Sequence, residues 1–165
     1  MMAFNLAELS DPVKSLVTIF LLVLSVGYIS ALLFVKDTTG MQQSGIVENY
    51  VGNEDNEEAN EMKFKKSKHE MLNILHTHIL SMSVIFFILG GLVSGALINS
   101  KLKRIIMIEP LLSVLATFGG IFLIWRGISW MSYIVMISGG LMTISFVGSV
   151  FVIIISMYRT NVYSK

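Results

Sequence analysis

The 165-residue chain contains no cysteine. That excludes disulfides, thiolate metal sites, iron–sulfur clusters held by its own side chains and covalent attachment of c-type haem. Charge is also scarce: 14% of the residues are Asp, Glu, Lys or Arg, with a formal net charge of +1, whereas an ordinary soluble domain carries about 25% charged residues. A nearly neutral chain lacks the basic field that nucleic-acid binding requires, so no nucleic-acid partner is expected. Between positions 79 and 98, 111 and 125, and 132 and 157 there is no Asp, Glu, Lys, Arg or His. Proton relays and ion pathways depend on such groups inside the membrane, which argues against a pump or proton-coupled transporter built from this chain alone. There is also no phosphate-binding glycine loop, no HExxH and no nucleophile elbow, and no enzyme acting as a single chain is expected.

What the chain does have is apolar length. Hydrophobic residues make up 54% of it and the mean hydropathy is +0.73. Crossing a hydrocarbon core of about 30 Å takes about 20 helical residues, and four windows qualify, at 15–35, 74–98, 105–125 and 131–157. The first reads as a retained anchor, because no small-residue cleavage pattern follows it before Lys36 and Asp37. The expected fold is all-α: an integral membrane four-helix bundle forming a single domain over 1–165, with one polar loop, 36–68, between the first and second spans.

Local signals place the helix ends. Ser10, Asp11 and Pro12 form a helix start, and Asp37, Thr38, Thr39 and Gly40 supply turn chemistry that ends the first helix near Lys36. Ser67 followed by Glu70 has the capping-box form, so the second helix runs from about Lys68 to Asn99. Its first two turns, with His69, Glu70, Asn73 and His76, stand in the headgroup region or in water. Lys101, Lys103 and Arg104 make a tight basic turn, and Glu109 before Pro110 reads as an N-terminal cap of the third helix. Trp125 and Trp130 flank the last turn as an interfacial aromatic belt.

The polar loop changes sign midway, from Glu54, Asp55, Glu57, Glu58 and Glu61 to Lys63, Lys65, Lys66 and Lys68. Charge runs of this kind usually read as solvated and partly disordered segments; a docking loop for a partner is the alternative. Short basic loops favour the cytoplasm. The turn at Lys101, with Arg159 and Lys165 after the last span, favours both termini inside and loop 36–68 outside a bacterial inner membrane, whereas Lys63, Lys65, Lys66 and Lys68 favour the opposite orientation.

Small residues recur four apart, as Gly27 with Ala31, Gly91 with Gly95, Ala116 with Gly120 and Ser145 with Ser149, and Gly90 and Gly140 belong to glycine doublets. In lipid such residues let helices approach closely, so Gly27, Ala31, Gly90, Gly91, Gly95, Ala116, Gly120 and Gly140 are candidate packing or interface positions. The glycine doublets could also leave room for a flat cofactor.

At 100° per residue His76 shares a face with His69, Asn73, Ser83, Gly90 and Ser94, a polar and small stripe expected to meet protein. His78, two residues on, points about 200° away, along Ile85, Leu89, Leu92 and Ala96, a face expected to meet lipid. The two therefore do not chelate together on an unbroken helix. A structural, hydrogen-bonding role for His76 is the default. As alternatives, His76 with His69 could hold haem b, with a methionine or a second protomer's His76 as the other ligand, or His76, His69 and Glu70 could hold a metal ion.

The runs Gly45-Ile46-Val47-Glu48-Asn49-Tyr50, Gly52-Asn53, Met62-Lys63-Phe64 and His76-Thr77-His78 resemble those of an uncharacterised group of small bacterial four-span membrane proteins with a His-x-His at the start of the second span. The likeness covers about the first half of the chain. It implies an architecture and no activity, marks Tyr50, Gly52, Asn53, His76 and His78 as positions of interest, and implies a loop structured against the outer end of the bundle. The function expected is that of an accessory or binding subunit of a larger membrane assembly, with the lipid bilayer and a protein partner or homo-oligomer as its contacts. A haem- or metal-binding electron-transfer protein using His76 and a holin-like pore former are the rivals.

Overall fold

A computed structural model describes residues 4–54, 56 and 61–159. Asp55, Glu57, Glu58 and Lys165 lie outside the described residues. Five α-helices follow a short 3-10 turn at Leu6–Glu8: α1 Asp11–Thr39, α2 Gln43–Val51, α3 Lys68–Ser94, α4 Ser100–Trp125 and α5 Met131–Tyr158. Four of them, α1, α3, α4 and α5, are long and apolar enough to cross a membrane.

The helix ends follow from local chemistry. Pro12 sits in the first turn of α1, and Gly40, at φ 59°, closes that helix with its N–H on the Lys36 carbonyl. Both halves of the expected capping box form: the Glu70 N–H donates to Ser67 Oγ at 3.2 Å and the Ser67 N–H to Glu70 Oε2 at 2.7 Å. Helix α3 ends at Ser94 rather than near Asn99. There the Gly95 carbonyl accepts from the Leu6 N–H at 3.0 Å, and the Phe4 ring packs where a Gly95 side chain would lie. Leu6 itself is fully buried, so the N-terminal turn plugs the end of the bundle that carries the basic turn.

The core is a layer of α3, α4 and α5, with α4 in the middle. Helix α4 buries Ser113, Val114, Thr117, Phe118, Ile121 and Ile124, and α5 answers with Ser138, Met142, Ser145, Phe146, Ser149, Ile153 and Ser156. Serines on this seam keep the backbones close, and Thr117 and Ser138 share a hydroxyl hydrogen bond of 2.7 Å across it. Helix α1 stands apart. In its most apolar 18-residue stretch 6% is buried, against 39% for α4. It leans on α5 through Tyr28, whose ring stacks on Phe146 at 4.0 Å and whose hydroxyl bonds Thr143 at 3.1 Å.

The loop between α1 and α3 is ordered where it is described, unlike the solvated segment its charge pattern implies. Helix α2 packs on α1, α4 and α5 with Ile46 buried. Ile46, Val47, Tyr50 and Val51 make a narrow apolar stripe of helical spacing, the signal in the sequence that marks this helix.

Candidate functional site

Glu109 is the residue whose surroundings depart most from expectation. Asn99 caps α4 instead, its Oδ1 accepting from the Lys101 N–H at 2.9 Å. The helix therefore starts one and a half turns earlier than its apolar window, and Glu109 and Pro110 fall in its interior. Glu109 lies about 13.5 Å along the axis from Ser100 at 1.5 Å per residue, with Pro110 buried beside it. Its two carboxylate oxygens accept from Ser113 Oγ, one turn on, and from Ser145 Oγ on α5. Pro110 has no N–H to offer the Ile106 carbonyl four residues back, so the helix lacks one i to i−4 hydrogen bond beside the carboxylate.

A charged group at span depth costs about 3 kcal/mol even on the most lenient scales, and such residues are ordinarily paired. Here the named partners are two hydroxyls. Beside them a groove of ≈ 310 Å³ opens between α4 and α5, lined by Glu109, Ser113 and Ser138 and by Leu112, Ala116, Ile134, Ile137 and Leu141. From the sequence Glu109 reads as the N-terminal cap beside Pro110, and the structure places it inside the helix instead. Glu109 and Ser113 are four residues apart and thus on one helical face, but the partner Ser145 comes from a different helix, 36 residues on.

The histidines are not brought together. His69 and His76 lie two turns apart on α3 and both are exposed. His76 faces away from the helical layer, contrary to the inward direction read from the wheel. Inward instead point Leu89, Val93 and Ala96, while His78 leans toward α4 with its ring 5.1 Å from that of Phe118 and its Nδ1 2.9 Å from the Ile74 carbonyl oxygen. The inversion has a simple cause: His69, Asn73 and His76 lie near the start of α3, expected at the headgroup level, where an exposed polar side chain costs little, so polarity there does not mark the protein side. Glu70 is committed to the cap of its own helix, and among the described residues no three His, Asp or Glu side chains gather into a metal centre.

Of the candidate packing positions, Gly90 approaches the Met107 backbone and Gly120 meets Val135, where an added Cβ would stand 2.7 Å from Cγ2. Ala116 lines the groove, and Gly95 receives the Phe4 ring rather than a helix. Gly27, Gly91 and Gly140 have open space where a side chain would be, and Ala31 is exposed.

The loop residues singled out by resemblance do converge. Asn53 holds the returning segment with three hydrogen bonds: its N–H donates to the Lys63 carbonyl at 2.9 Å, its Oδ1 accepts from the Lys63 N–H at 2.6 Å, and its Nδ2 donates to the Glu61 carbonyl at 3.0 Å. The Lys66 N–H donates to the Tyr50 carbonyl at 3.2 Å. This clasp is pinned to the spans at two points. Lys63 Nζ donates to the Thr38 carbonyl at 2.8 Å, a cation at the C-terminus of α1. Trp125 Nε1 donates to the Lys66 carbonyl at 2.7 Å, with Lys65 Nζ 5.7 Å from the centroid of the same ring. Burial raises the Tyr50 phenol above its ordinary pKa, offset in part by a hydrogen bond with Asn49.

Four apolar helices in one bundle define a multi-pass integral membrane protein. Residues 40–163 match the model of the Aq_1264_TM family, a transmembrane helical domain, and the chain belongs to that family. The matched stretch takes in α2 to α5 and leaves out α1. No curated protein and no solved structure matches the chain.

Proposed function

We propose that the protein is an accessory or binding subunit of a larger assembly in a bacterial inner membrane, acting by association rather than catalysis. The observation that carries this is α1, a full-length span of which Val17, Leu21 and Thr39 alone are buried and whose Gly27 and Ala31 face outward with room for another backbone. The family match covers the better packed α2 to α5 and does not extend over α1. Against catalysis stands the use made of the hydroxyls. Ser81, Ser94, Ser138 and Ser149 each bond a carbonyl of their own helix, and Ser113 and Ser145 bond Glu109, so none of these is paired with a histidine base.

The test is native electrophoresis in mild detergent. The wild-type protein should migrate in a species well above 18.4 kDa that includes a different protein. Replacing Gly27 and Ala31 together by Ile should release it as a smaller species. A wild-type protein that runs as a monomer overturns the reading.

We also infer that both termini are cytoplasmic and the clasp external. The bond from Leu6 to Gly95 puts the N-terminal turn on the side of Lys101, Lys103 and Arg104, while Lys63 and Lys65 opposite are engaged by Thr38 and Trp125. Because the chain has no cysteine, single substitutions report cleanly. A membrane-impermeant maleimide should label Met62→Cys in intact cells and Lys101→Cys only after permeabilisation; the reverse pattern inverts the orientation.

A further inference from the structure

The groove between α4 and α5 is a place where the molecule is incomplete. Its floor carries a carboxylate, Glu109, and the hydroxyls of Ser113 and Ser138, while Leu112, Ala116, Ile134, Ile137 and Leu141 form its walls. A ligand that satisfies both must be apolar along its length and present a positive charge at one depth. The groove is an open trough rather than an enclosed chamber. Along α5 it extends from Ile134 to Leu141, about 10.5 Å or two helical turns, and small side chains at Ser113, Ala116 and Ser138 let a third backbone come close.

We propose that this groove docks a transmembrane helix of a different protein, one that carries a Lys or Arg within its apolar span and places that cation on Glu109. This deepens the accessory-subunit reading and rests on it. Charge complementarity selects the occupant, since an intramembrane carboxylate held by hydroxyls alone gains most from a cation. Among the described residues a second copy of this chain has no cation at the depth of Glu109. Its basic residues flank the spans, and the nearest in depth, Arg104, lies five residues or about 7.5 Å toward the membrane surface from Glu109. On α5 the level of Glu109 is that of Ser145, about 20 Å from Tyr158 and so from Arg159 beyond it. Among the described residues no lysine or arginine of a parallel copy stands at that level.

The experiment uses the full chain in its native membranes, with a photoreactive benzoylphenylalanine at Ile137 in the groove and, as a control, at Leu115 on the exposed outer face of α4. The expected result is an adduct at Ile137 and not at Leu115 with a protein whose span contains Lys or Arg. Its yield should fall about tenfold in Glu109→Gln, which keeps the shape and removes the charge, one serine hydroxyl turning to accept from the new amide instead of donating. Exchanging the charges, with Glu109→Lys here and the partner's cation replaced by Glu, should restore it. Equal expression and thermal unfolding of Glu109→Gln and wild type establish that the variant folds.

An adduct with a second copy, an adduct with lipid only, a captured span without a cation, or a yield unchanged in Glu109→Gln each overturns the proposal. Native electrophoresis separates it from the broader reading. An assembly that survives Glu109→Gln but is lost on altering Gly27 and Ala31 removes the groove as the docking site and leaves the accessory role standing. A monomeric wild type removes both.

Discussion

Gly45→Ala is expected to release α2 from the bundle and to raise the rate of proteolysis in the 40–66 segment about 100-fold, with the four spans still helical. Gly45 is the third residue of α2, and the chain doubles back on α1 so tightly there that an added Cβ would run into the Thr39 carbonyl, 2.8 Å from its carbon. Both sides of that contact are backbone. Thr39 ends α1 and its carbonyl accepts from the Gln42 N–H at 3.2 Å, so neither can yield without opening the turn. Overpacking of this kind costs about 3 kcal/mol, and at 1.4 kcal/mol per tenfold that is a 100-fold larger open population, which proteolysis reads directly when reclosing is fast. Gly27→Ala is the control, because nothing lies within 4 Å of its added Cβ. Equal cleavage of the Gly45 variant and wild type would show that α2 docks without this close approach.

Gly52→Ala should open the clasp itself. Gly52 adopts φ 90° and ψ 174°, a region essentially reserved for glycine, where another residue costs about 1–3 kcal/mol. An added Cβ would also lie 2.8 Å from the Lys65 nitrogen and 2.9 Å from the Lys63 oxygen, against the segment that Asn53 holds. Since Lys66 accepts the Trp125 indole proton, the loss travels to the spans. In detergent-solubilised protein that proton should exchange with deuterium about tenfold to 100-fold faster than in wild type, while the Trp130 signal is unaffected. An unchanged Trp125 exchange rate would mean that the indole is held without the clasp.

These two glycines also show where sequence reading reaches its limit. Gly52-Asn53 and Met62-Lys63-Phe64 stood out by resemblance, and the structure shows why they belong together: one grips the other across ten residues. Nothing local announces that pairing, because a loop of mixed charge carries no periodicity from which register could be read. Glu109 is the sharper case. Beside Pro110 and near Lys101, Lys103 and Arg104, a cap was the economical reading. Asn99 takes that role because its side chain reaches the Lys101 amide, which moves the acid into the span. His76 was misdirected for the opposite reason, since His69, Asn73, His76 and Ser94 of its stripe are exposed and Gly90 alone is buried against α4.

Four apolar helices, the capping box at Ser67, the turn between Trp125 and Trp130 and the membrane class of the protein were determined by the sequence alone. Each depends on interactions within about one helical turn or on apolar length matched to the bilayer. The tertiary structure decided which faces pack, that α1 stands nearly alone, that the loop folds over Trp125, and that Glu109 rests between Ser113 and Ser145 beside an open groove. In lipid the hydrophobic effect does not distinguish a buried face from an exposed one. Close packing and hydrogen bonds between distant segments make that choice, and these exist only once the helices have met.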